Sequence, residues 1–138
     1  MKFSKDFKEI KGDASIRKFY RNTKKNSIIV FANIEKIKNL LIYDSVNKIL
    51  IKNNIIAPKL LSQNYRNNFI EIQDLGNKTI YQKFIKNKND HYLILKKVIN
   101  VLNKIQKIKD KKVKNFNNKL YKIKDYNNKF LFDETKLF

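Results

Sequence analysis

At 138 residues the chain has the length of one domain or of part of a larger one, and its 42% hydrophobic and 12% aromatic content is too apolar for wholesale disorder. It has no cysteine, which excludes a disulfide framework, a thiolate zinc site and a cysteine nucleophile. The formal net charge of +20 points towards an anionic partner, but 29 Lys, 20 Asn and 20 Ile, three types with A/T-rich codons, make up half the chain, so mutational bias inflates that number.

The N-terminal stretch MKFSKDFKEIKG lacks the continuous apolar run of a signal peptide, and FKEI at 7–10 reads as a first strand. GDASIRKFYR follows at 12–21, holding one of only two glycines in the chain. From residue 16 the pattern alternates: Ile16, Lys18 and Tyr20 share one side, Arg17, Phe19 and Arg21 the other. NTKKN is polar and of hairpin length, and SIIVF at 27–31 is a β-branched strand that pairs antiparallel with the one before it.

Between residues 33 and 53 the period changes to helical, with Ile34, Ile37, Leu40 and Leu41, then Val46, Ile49 and Leu50. Asn33 suits the cap, and Glu35 sits where the helix dipole favours a carboxylate. IIAPKLLSQ and NNFIEIQ at 67–73 read as two more strands, the first near an edge or an end because of Pro58. Gly76 marks a break, after which 79–87 and 91–109 return to helical spacing. Residues 110–130 are rich in Lys and Asn and weakly patterned, so a loop or poorly ordered helix is expected there. Asp133 suits the cap of a last helix in FDETKLF.

The lysines spread along the whole chain, with the densest group at 107–114, and only Arg17, Arg21 and Arg66 are arginines. Guanidinium is the better fork for phosphates and base edges, so specific nucleic-acid binding is not expected. No apolar run approaches the ~20 residues that span a bilayer. No membrane partner is expected, and the location is expected to be cytoplasmic.

Gly12 permits a tight turn, Ser15 offers a hydroxyl and an amide to an anion, and Arg17 brings charge. The same tetrapeptide also reads as an ordinary hairpin turn. The longer series, GDASIRKFYR, then SIIVFANIEK, a long helix, IIAPKLL and FIEIQDLG, resembles the N-terminal lobe of aminoglycoside-phosphotransferase-like kinases. Within that group it is most similar to the bacterial anomeric N-acetylmuramate/N-acetylglucosamine kinases. The matching segments are Gly12 to Arg21, and Gln73, Asp74, Leu75 and Gly76, where glutamine replaces the acid of an E-D-L-G pattern.

The resemblance implies an α+β fold: a protein-kinase-like N-terminal lobe over residues 1–74, a small antiparallel sheet plus a long helix, then the hinge and first helices of an incomplete C-terminal lobe over 75–138. It implies ATP and Mg as cofactors. Gly12, Asp13, Ala14, Ser15 and Arg17 would meet the phosphates, Glu35 would start the helix packed on the sheet, and Gln73, Asp74, Leu75 and Gly76 would be the hinge near adenine. The implied activity is ATP-dependent phosphoryl transfer to a small molecule, a sugar or amino sugar.

The chain departs from the family at two places. SIIVF carries no lysine for the phosphates, and Lys36 falls on the expected helix. The only histidine, His91, lies in NDHYLI with no H-G-D-x-x-x-x-N loop and no later metal-binding aspartates, so it reads as a helix-surface residue. The chain alone is therefore expected to be inactive: a truncated or split gene product, or a fragment of a longer open reading frame, with a second polypeptide as one source of the catalytic lobe. The alternatives are a small basic nucleic-acid- or protein-binding module and a noncatalytic pseudokinase lobe.

Overall fold

The computed structural model describes residues 5–11, 17–32, 36–86 and 90–123, together with 128, 132, 133 and 136. Five strands, β1 (Phe7–Ile10), β2 (Arg17–Asn22), β3 (Ser27–Ala32), β4 (Leu60–Asn64) and β5 (Phe69–Gln73), form one antiparallel sheet in the order β1-β2-β3-β5-β4. Helix α1 (Lys36–Lys52) enters between β3 and β4.

Alternation decides which face is buried. Phe19 stands opposite Val30 and Arg17 opposite Ala32, while Val30 pairs with Ile70 and Ile28 with Ile72. These residues share one face, and Leu40 of α1 completes a core with Val30, Ala32, Ile70 and Ile72. β4 is an edge strand that begins two residues after Pro58, where the missing N–H costs no ladder bond.

Asparagine does the work that glycine does in most chains. Asn54, Asn68 and Asn118 all adopt positive φ near 57–58°, a region where a short polar side chain is the best substitute for no side chain at all. Asn54 ends α1: its N–H donates to the Ile51 carbonyl, and that of Ile55 reaches back to the Leu50 carbonyl at 2.9 Å, the bonding pattern of a Schellman stop.

After the sheet come α2 (Ile80–Lys86) and α3 (His91–Gln106), then a hairpin of β6 (Lys112–Lys114) and β7 (Leu120–Lys122). Over 112–122 the hairpin corrects the expectation of a loop or poorly ordered helix, made for 110–130. Its turn is built by Asn115, whose side-chain oxygen accepts from the Asn117 and Lys119 amides, and by Asn118 at positive φ. It folds back on α1, where the Phe116 amide donates to the buried Asp44 carboxylate at 3.1 Å. The expected cap at Asn33, the expected first-turn carboxylate at Glu35 and the turn at residues 12–15 lie outside the described residues. Of the last expected helix only 132 and 133 are described as helical.

Candidate functional site

Period-two alternation sends Arg17, Phe19 and Arg21 to the core side of the sheet, so a large ring is flanked by two cations. β1 adds Ile10, β3 adds Ile28 and β5 adds Ile72. The chain leaving β5 then turns at 73–76 beside them. Between these parts lies an open cavity of about 280 Å³, also lined by Tyr43 of α1 and by Pro58. Its walls are apolar, while Arg21, Gln73 and Asp74 supply polar groups.

Arg21 fastens the turn to the sheet. Its guanidinium donates to both carboxylate oxygens of Asp74, through Nε and, at 3.0 Å, through Nη2, and it also reaches the Asn77 side chain and the Gly76 carbonyl. The Gly76 amide donates to Asp74 at 2.7 Å, which closes the turn with Gly76 at φ +91°, a conformation that suits glycine. Asp74 is only 7% exposed. The Arg21 hydrogen bonds hold its carboxyl below the ordinary carboxylate range, against the opposing effect of burial.

At the other end of β2, Arg17 lies over the Tyr43 ring, 5.1 Å from its centroid, and donates through Nε to Asn39, which is buried. Phe19 leans on the same ring, with centroids 6.4 Å apart. Burial pushes the Tyr43 hydroxyl above its usual range, partly offset by a hydrogen bond with Asn47 and by the Arg17 charge.

Of the residues expected from the sequence, Gln73, Asp74, Leu75 and Gly76 line the cavity together. Arg17 does not line it, but meets it through Tyr43, which does. Gly12, Asp13, Ala14, Ser15 and Glu35 lie outside the described residues. Sequence reasoning did not single out Ile10, Phe19, Arg21, Ile28, Tyr43, Pro58 or Ile72 as site residues. The signal for Phe19 and Arg21 was present in their alternation with Arg17.

His91 belongs elsewhere: its ring stacks on Phe84 at 3.8 Å, and Nε2–H donates to the Phe84 carbonyl at 2.7 Å, tying the start of α3 to α2. Among the described residues no three His, Asp or Glu side chains group as a metal site, and no helix is long and apolar enough to cross a membrane. No family model, curated protein or solved structure matches the chain.

Proposed function

We propose that this chain is the nucleotide-holding part of an ATP-dependent phosphotransferase acting on a small molecule, with a sugar or amino sugar as the acceptor that the sequence resemblance implies. The observation that carries the reading is the cavity of about 280 Å³ between the apolar core side of β1, β2, β3 and β5 and the turn at 73–76. A planar base needs apolar walls for its faces and a polypeptide edge for its rim, and this cavity offers both. The order β1-β2-β3-β5-β4 with a helix between the third and fourth strands supports the same reading, being a small antiparallel sheet with one long helix.

In this reading Arg17, held by Asn39 and Tyr43, is the phosphate-facing cation, and residues 12–15 are assigned to the phosphates. Asp74 is engaged by Arg21 and is not available to a metal. The described residues suit the base and do not suit magnesium. This chain's part in the reaction is to hold and orient the nucleotide.

Charge is the confounding variable, because a chain of net charge +20 attracts any polyanion. Thermal unfolding should therefore be followed with uncharged adenosine, with ADP and with inorganic triphosphate. Adenosine and ADP should raise the midpoint, ligand at a hundredfold excess over Kd adding about 2.7 kcal/mol. Ile10→Trp, at a partly exposed position at the end of β1, should fill the cavity and remove the adenosine effect. Stabilisation by triphosphate alone, with none from adenosine, would sink the proposal.

A further inference from the structure

A second concave surface lies away from this cavity, between α2 and α3. It encloses about 310 Å³ and is lined by Ile80 of α2 and by Ile94, Val98, Val101 and Leu102 of α3, with Lys83 and Lys97 completing it. Neither helix contains a buried residue. On α3 the apolar positions form two adjacent stripes, Ile94, Val98, Val101 and Ile105 beside Leu95, Ile99 and Leu102, so half of the helix circumference is apolar. Leu95, Ile99 and Leu102 remain 50%, 53% and 52% exposed, and Ile80 and Ile85 of α2 are 58% and 56% exposed. Exposed apolar side chains grouped along two adjacent helices are candidates for an interaction site.

The charge around it selects the occupant. Lys83 and Lys97 line the groove, and the sequences of α2 and α3, IYQKFIK and HYLILKKVINVLNKIQ, contain no carboxylate to offset them. A second copy of the chain would set two such lysine-bearing surfaces against each other, which opposes self-docking. A bilayer would have to meet a concave surface with a flat one. An acidic amphipathic helix presents apolar side chains at i, i+3, i+4 and i+7 to fill the groove and carboxylates on its flanks to meet the lysines.

We infer that the α2–α3 groove docks an amphipathic helix with acidic flanks from another polypeptide. A helix of roughly 16 residues, about 24 Å long, matches the run of α3. The lysines set the orientation and the encounter rate, and the apolar stripes provide most of the affinity.

The chain has no tryptophan, so a single tryptophan in a synthetic peptide reports binding without background. Three 16-residue probes suffice: one with leucines at helical spacing and glutamate flanks, one with the same leucines and lysine flanks, and one glutamate-rich peptide with the leucines scrambled. At near-physiological salt the first should bind saturably with a blue shift, at least tenfold tighter than either of the others. Val98→Asn with Leu102→Asn, a pair that leaves the charge unchanged, should weaken it at least tenfold while circular dichroism stays the same. Lys83→Glu with Lys97→Glu should reverse the preference towards the lysine-flanked probe. Equal binding of the scrambled peptide, no binding of any peptide, or a micromolar self-association that the Val98/Leu102 pair abolishes would each overturn the inference. So would tighter partitioning of the same face onto phosphatidylglycerol vesicles than onto the acidic peptide.

Discussion

Arg21 and Asp74 stand 53 residues apart in the chain and side by side in the fold, and between them they hold the turn that borders the cavity. The Asp74 carboxyl is held below its ordinary value in the folded state, first by the Arg21 hydrogen bonds. A depressed native value means that the stabilisation is fully present above the unfolded carboxylate value of about 3.9, and is lost as pH falls through the native value. Asp74→Asn should therefore cost about 1.5–3 kcal/mol at neutral pH. Denaturant melts from pH 7 to pH 2 should show the wild type converging on the variant at the acidic end. A constant gap at every pH would contradict the assignment. This partnership was not legible in the sequence, since Arg21 carries no sign of which distant carboxylate it meets. The turn itself was, because in a chain with two glycines Gly76 marks a place where the backbone needs positive φ, and it has one.

At the scale of elements, β3, β5 and α1 show the spacing of their buried residues, whereas α2 and α3 contain none and show only the helical spacing of apolar residues that stay largely exposed. β5 is the plainest case, with Ile70 and Ile72 buried between less buried Phe69, Glu71 and Gln73. The β6–β7 hairpin was not legible. Its strands have three residues each, too short for a period, and its turn uses asparagines in a chain where asparagine is common everywhere. A tertiary contact holds it: Asp44, 1% exposed, takes the Phe116 amide at 3.1 Å and the Lys48 ammonium at 2.8 Å. Asp44→Ala would remove a buried carboxylate that bonds both the hairpin and Lys48, at a cost of about 1.5–3 kcal/mol. Amide exchange in residues 112–122 should accelerate with the β3 and β5 amides still protected, since the hairpin packs on α1 and not in the sheet ladder. Uniform acceleration across both would mean that Asp44 supports the whole core.

For the whole molecule, the excess of cations governs how stability responds to salt. With 32 Lys and Arg against 12 Asp and Glu, like-charge repulsion acts in the folded state and is relieved by expansion. Exposed pairs such as Lys24–Asp6 and Lys52–Asp110 oppose it, but exposed pairs contribute only about 0–1 kcal/mol each and are screened by the same salt. Raising sodium chloride from about 0.05 M to about 0.5 M shortens the screening length from more than ~10 Å to a few ångströms, which removes repulsion summed over an excess of twenty cations and attraction from a handful of pairs. The thermal midpoint should rise by a few degrees, and chloride is the right anion because sulfate would add exclusion effects and direct binding. A midpoint that falls with chloride would show that local pairs such as Arg21–Asp74 outweigh the global field. The same screening separates the two proposed sites: adenosine in the apolar cavity should be held equally at both salt concentrations, whereas the glutamate-flanked helix on α2 and α3 should lose affinity as lysine attraction is screened and retain the part its leucines supply.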